Sequence, residues 1–195
     1  MSVLLFPGQG SQSIGMGLEF YKNFNSVKRI FEEADEKLKY SISKIILEGP
    51  ENELQLTKNT QPAILTVSYS IFKVLSEEFG LSLKSYKYFA GHSLGEYSAL
   101  VSSESLNFSD GVYLLNERGK AMQEAVPLGK GSMIAILGLM TDEIQNLINN
   151  RENKKGICEI ANDNADGQVI ISGDKENIKD FQIQLKKKKI LRLYL

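Results

Sequence analysis

An α/β fold in two parts is what this sequence predicts, and three observations carry the prediction. A short apolar run at the start enters a glycine-rich loop. A Gly-x-Ser-x-Gly pattern, Gly91, Ser93 and Gly95, stands between a second apolar run and a helical stretch. From Ser132 onward the elements read β-α-β-β-α-β.

In chain order, "SVLLF" (2–6) reads as a buried strand and "PGQGSQ" as the tight loop that ends it. Ser26 is placed to cap a helix running through Leu38. Thr60, with Pro62 just inside the start, opens a long helix that Gly80 ends. "YKYFA" (86–90) is a strand that delivers the chain to Gly91, and "EYSALVS" after Gly95 is helical. Strand, sharp turn and helix follow in the order that a nucleophile elbow requires. Ser109 is placed to cap a helix to about Glu124, closed by Pro127 and Gly129.

The second part runs through a strand at 132–139, a helix from Thr141 to about Asn150, strands at 156–162 and 168–173, a helix from Asp174 to about Lys187, and a strand at 189–195. That order is the ferredoxin-like signature. The lysines at 186–189 suit the solvated end of a helix, where they also complement its dipole.

Charge and composition narrow the function classes. Twenty-three Lys and Arg against 24 Asp and Glu leave a formal charge of -1, so no net field draws the chain to nucleic acid or to an anionic membrane. One cysteine, Cys158, excludes an internal disulfide, and one Cys with one His cannot build a protein-only zinc site of the usual kind. The apolar stretch at the N-terminus is too short for a signal peptide or membrane span, which points to a cytoplasmic protein.

Ser93 is the candidate nucleophile, because flanking glycines let strand and helix pack closely around a strained serine turn. A serine hydroxyl needs a general base, and the one histidine of the 195 residues is its neighbour His92. Adjacent side chains on such a turn diverge, so His92 is expected to pack under the elbow and not to serve Ser93. Backbone N–H groups of the loop at 7–10 and of the residue after Ser93 are candidates to face a developing oxyanion. As a phosphate loop "PGQG" fails, having no Gly-Lys-Ser/Thr ending and Ser13 where a dinucleotide fingerprint needs its third glycine. Arg118 has Leu114, Leu115, Ala121 and Met122 at three and four residues' distance, and an arginine on an apolar stripe needs an anionic partner. A carboxylate of the fold and a carboxylate of a substrate both satisfy that need.

With "FPGQGSQ", "TQPAIL", "GHSLGEYSAL", "ERGKAMQEAVP" and "NADGQVIISG" in this order, the whole chain resembles the malonyl-CoA:acyl carrier protein transacylase (acyltransferase) family of fatty-acid synthesis. The resemblance implies a large domain similar to an α/β-hydrolase, here incomplete, at 1–127, and an inserted ferredoxin-like subdomain at 128–195. It implies Ser93 as nucleophile, the amides of Gln9 and Leu94 as oxyanion hole, Arg118 on the malonyl carboxylate and Asn162 near the active site. No cofactor is bound in such proteins; malonyl-CoA is the substrate and the phosphopantetheine thiol of acyl carrier protein the acceptor. The family's base is a histidine in a segment after the small subdomain's last strand, beyond Leu195. The expectation is therefore a chain without its base, without a further active-site glutamine, and with core surface left uncovered. From the residues alone two alternatives stand: a serine hydrolase of α/β type, for which Arg118 is a poor fit, and a non-catalytic truncated fragment, for which the missing base argues.

Overall fold

The computed structural model describes residues 2–82, 85–127, 129–151, 155–187 and 193–194. The chain divides into two compact units, Met1–Ala125 and Val126–Leu195.

In the first unit, β1 (Val3–Phe6) is followed by α1 (Leu18–Asn23), α2 (Asn25–Leu38), α3 (Ile42–Glu48), α4 (Glu51–Leu54) and α5 (Thr57–Glu77). Then come β2 (Tyr88–Gly91), α6 (Gly95–Ser102) and α7 (Phe108–Ala125). β1 and β2 pair in parallel, Val3 opposite Tyr88 and Phe6 opposite Gly91. The helices share one apolar core in which Phe31 of α2, Ile46 of α3, Leu65 of α5 and Leu115 of α7 are shut off from solvent. Phe6 packs with Phe72 and Ala99 in a smaller cluster. The strands are not covered throughout: Leu5 is 73% exposed and Tyr88 50%. Parallel strands are ordinarily buried on both faces, so this two-stranded sheet offers apolar surface that the described residues leave open.

Helix starts differ from the sequence reading. α2 begins at Asn25 with Phe24 in the cap position, extended and without a side-chain cap bond, so Ser26 lies within the first turn. α5 begins at Thr57, ahead of the expected Thr60, whose hydroxyl instead donates to the Leu54 carbonyl at 2.6 Å. α7 starts at Phe108, its Gly111 N–H bonding the Asn107 carbonyl, which puts Ser109 in the first turn rather than at the cap. Ser26 and Ser109 each lie one residue inside the observed start, and Thr60 lies three residues inside it. The short helices α1, α3 and α4 were not foreseen. The end of α5 is as expected: Gly80 takes φ +70 and lets the Leu81 N–H return to the Leu75 carbonyl.

The seam between α5 and α7 sets up the site. A Cβ at Gly119 would lie 2.5 Å from the Lys58 Cα and 2.6 Å from the Thr57 carbonyl oxygen, so only glycine allows this approach. Pro62 sits inside α5 and has no N–H for the Lys58 carbonyl four residues back. That carbonyl accepts from Asn116 Nδ2 of α7 at 2.9 Å, while Gln123 Oε1 accepts the Lys58 N–H at 3.0 Å.

In the second unit, β3 (Gly131–Leu137), α8 (Thr141–Asn149), β4 (Cys158–Ala165), β5 (Gln168–Asp174), α9 (Lys175–Lys187) and β6 (Leu193–Tyr194) form a four-stranded antiparallel sheet with two helices. The strand order is β4-β5-β3-β6. Ile134 and Ile136 alternate inward from β3 to meet Ile144 and Ile148 of α8 and Ile178, Phe181 and Leu185 of α9. Cys158 is buried in this core, and burial pushes its thiol up from the usual range. Of the strand expected at 189–195, Leu193 and Tyr194 pair with Ile136 and Ala135, and the rest lies outside the described residues. Lys188 and Lys189 of the lysine tract lie outside them too.

Candidate active site

β2 ends at Gly91 and α6 starts at Gly95, leaving three residues for a reversal. Ser93 takes φ 55, a left-handed conformation that a side chain with a Cβ adopts at a cost. The turn is closed by the Gly95 N–H on the His92 carbonyl at 2.9 Å and the Glu96 N–H on the Ser93 carbonyl at 3.1 Å. A Cβ at Gly91 would lie 2.0 Å from the Gly95 carbonyl carbon, and one at Gly95 would lie 2.6 Å from the Phe6 carbonyl oxygen. The two glycines are thus required by close packing of β1, β2 and α6, and the serine is thrown outward, exposed, at the tip.

The loop after β1 lies against this turn. A Cβ at Gly8 would come within 2.8 Å of both Nδ1 and the carbonyl oxygen of His92, so the His92 ring lies beside Gly8, exposed and not packed under the turn as expected. Within the loop the Gly10 N–H donates to Gln12 Oε1 at 2.8 Å and Ser11 Oγ donates to the Gly8 carbonyl at 3.0 Å. Among the described residues no acceptor is found for the backbone N–H of Gln9 or of Leu94.

Arg118 reaches the serine from α7. Its Nη2 donates to Ser93 Oγ at 3.0 Å, and its Nη1 donates to Gln61 Oε1 of α5 at 2.6 Å. Both partners are neutral; among the described residues no carboxylate pairs with Arg118. The stripe around it is not the buried one that its spacing suggested. Leu115 is fully buried, but Leu114 and Met122 are 43% and 47% exposed, and Arg118 is itself half-buried. Helical spacing gives neighbours on a face and does not say which part of that face is covered.

Gln61 was not singled out from the sequence. It is fully buried, and its Nε2 donates to Met122 Sδ at 3.3 Å. No local sequence signal marks Gln61, because its burial and its partners on α7 arise only in the fold. Asn162 belongs to the second unit, exposed on β4 opposite Ile170, where the pairing slips by a residue after Ile160. Among the described residues no group of three or more His, Cys, Asp and Glu side chains is arranged to hold a metal ion. No described helix is long and apolar enough to cross a membrane.

A strained serine at a strand-to-helix turn of an α/β unit, with an arginine on its hydroxyl, suits acyl-group chemistry, and comparison with known proteins gives the same class. The model of the acyl transferase domain matches residues 3–194, and the chain belongs to that family. More particularly, it is 45% identical over 175 residues to the malonyl CoA-acyl carrier protein transacylase of Bacillus subtilis (strain 168), covering 90% of this chain and 54% of the relative. To the protein of the same name from Salmonella typhimurium it is 44% identical over 176 residues, covering 90% and 55%. The chain thus spans about half the length of the curated relatives it matches.

Solved structures agree. An acyl-carrier-protein-S-malonyltransferase from Bartonella henselae superposes with a TM-score of 0.90 at 41% identity, over 99% of this chain and 62% of that one. A malonyl-transacylase solved in complex with its type II PKS acyl-carrier protein superposes with a TM-score of 0.88 at 39% identity, over 98% and 60%.

Proposed function

We propose that this protein moves a malonyl group from malonyl-CoA to the phosphopantetheine thiol of acyl carrier protein, in fatty-acid synthesis, through an ester on Ser93. The observation that carries the reading is the Arg118 guanidinium 3.0 Å from Ser93 Oγ, with only neutral partners among the described residues. A cation so placed can hold a carboxylate that lies a few bonds from the ester carbonyl, which is the geometry of a short dicarboxylic acyl group.

In the first half-reaction Ser93 Oγ attacks the thioester carbon. The Oγ–C bond forms, the C–S bond breaks, and the hydroxyl proton passes through a general base to the departing CoA sulfur. In the second, the pantetheine sulfur attacks the ester carbon, the C–O bond breaks, and the thiol proton returns to Oγ. The N–H groups of Gln9 and Leu94, which have no described acceptor, are proposed to meet the oxyanion in both steps. The base in both steps is a group other than His92, whose ring packs at Gly8. The two units are read as an α/β-hydrolase-like part at 1–127 and a ferredoxin-like subdomain at 128–195. The strand order β4-β5-β3-β6, with a helix after the first and third strands of the unit, supports the latter. A cytoplasmic location fits a chain whose one cysteine is buried and unpaired.

The experiment is intact mass spectrometry of the native protein after brief exposure to malonyl-CoA. One malonyl group should be gained and then lost on adding holo acyl carrier protein, and Ser93→Ala should gain none. No gain in the native protein, or an undiminished gain in Ser93→Ala, would sink the reading.

A further inference from the structure

We propose that Gln61 is a positioning and specificity-determining residue for Arg118: it pins one edge of the guanidinium through a neutral acceptor and leaves the positive charge uncompensated for an acyl carboxylate. The inference rests on the carboxylate-gripping role given to Arg118 above.

The orientation of the Gln61 amide follows from its two neighbours. Oε1 accepts from Arg118 Nη1 at 2.6 Å, and Nε2 faces the Met122 sulfur at 3.3 Å, which can only accept. The flipped amide would set donor against donor at Arg118 and acceptor against acceptor at Met122, so the observed arrangement is the one that satisfies both groups. Gln61 is fully buried on α5, and Arg118 and Met122 occupy successive turns of α7. The helices are held at that separation by Gly119 against Lys58 and by the two Lys58 backbone bonds to Asn116 and Gln123. Gln61 is therefore presented to Arg118 by backbone geometry, not by a flexible side chain finding its partner.

The choice of glutamine has an electrostatic meaning. A glutamate of the same length would bond the guanidinium more strongly, as an ion pair, but would cancel its charge. It would also repel an arriving carboxylate, and like charges in a partly desolvated site discriminate strongly. Glutamine supplies the acceptor without the charge. The Nη2 edge, now on Ser93 Oγ, remains the edge free to exchange a neutral hydroxyl for an anion.

The test compares the native protein with Gln61→Glu, Gln61→Met and Arg118→Ala, measuring kcat and KM for acyl-enzyme formation from malonyl-CoA and from acetyl-CoA. A residue that only supported the fold would lower both reactions together, whereas the inference concerns their ratio. Gln61→Glu should lower the malonyl-to-acetyl ratio of kcat/KM about tenfold or more. Gln61→Met keeps the length and removes the acceptor without adding charge; it should act mainly through a KM for malonyl-CoA raised several-fold, roughly 3 to 10. If Arg118→Ala collapses the ratio while Gln61→Glu and Gln61→Met leave it within about twofold of the native value, the inference is overturned and the role of Arg118 stands. If Arg118→Ala also leaves the ratio unchanged, the role of Arg118 fails and the inference fails with it. Should Gln61→Glu not fold, the KM of the Gln61→Met protein decides.

Discussion

Asn116 Nδ2 donates at 2.9 Å to the carbonyl of Lys58, the acceptor that Pro62 cannot serve because it has no N–H. A defect in α5 is thus repaired from α7, and the repair joins the two helices that carry Gln61 and Arg118. Replacing Asn116 by Ala should cost about 1–3 kcal/mol, the desolvation penalty of a half-buried carbonyl left unpaired. In a Pro62→Ala background the restored N–H can take that carbonyl, so Asn116→Ala should cost measurably less there. Equal costs in the two backgrounds, measured by denaturant unfolding, would disprove the coupling.

Gly119 tests the same seam from the other side. Helix propensity alone favours alanine over glycine by about 1 kcal/mol, so Gly119→Ala would stabilise an isolated helix. Here the added Cβ would lie 2.5 Å from backbone of α5 that cannot yield like a side-chain tip. The variant should be destabilised by about 1–3 kcal/mol. The malonyl transfer proposed for it should fall further than its stability accounts for, because Arg118 and Gln61 move apart. A higher melting temperature than the native protein would contradict the packing described.

Ser93 pays for its position in backbone energy, and two variants expose this. Ser93→Ala and Ser93→Gly both lose the hydroxyl and should be inactive, but only alanine keeps a Cβ at φ 55. The glycine variant should be the more stable of the two by about 1 kcal/mol, a difference of roughly 2–4 °C in melting temperature. Equal melting temperatures would mean that the turn carries no strain.

Tyr40 gives a pH dependence with a definite sign. Burial first, then Asp35 and Glu53, push its hydroxyl up to about 12 from an ordinary 10.0. The hydroxyl donates to Asn59 Oδ1 at 2.9 Å and accepts from Asn116 Nδ2 at 3.0 Å, so the fold holds the neutral form. Because the folded value lies above the unfolded one, this contribution is complete below pH 10 and is lost as pH rises toward 12. Unfolding followed across that window should show the native protein losing stability more steeply than Tyr40→Phe. Parallel curves would rule the Tyr40 network out as the cause.

Much of the local structure was legible beforehand because it is written in neighbours. Gly91 and Gly95 around Ser93 announced a turn that only close packing explains, and the alternation of Ile134 and Ile136 announced a strand with one buried face. Helix starts were read less well. Ser26, Thr60 and Ser109 are good caps by chemistry, yet each lies inside its helix: Phe24 holds the cap position of α2, and the Thr60 hydroxyl turns to the Leu54 carbonyl.

By itself the sequence determined that a serine stands on a strained strand-to-helix turn and that one arginine of the following long helix needs a partner. Only the tertiary structure decided what that partner is. Gln61 lies 57 residues from Arg118 along the chain, and Ser93 lies 25. Periodicity tells which residues share a face of one helix, while the groups that another element brings to that face depend on how closely the backbones approach. Here the approach is set by a glycine without a Cβ and a carbonyl without its own donor, and so the arginine meets two neutral oxygens instead of a carboxylate.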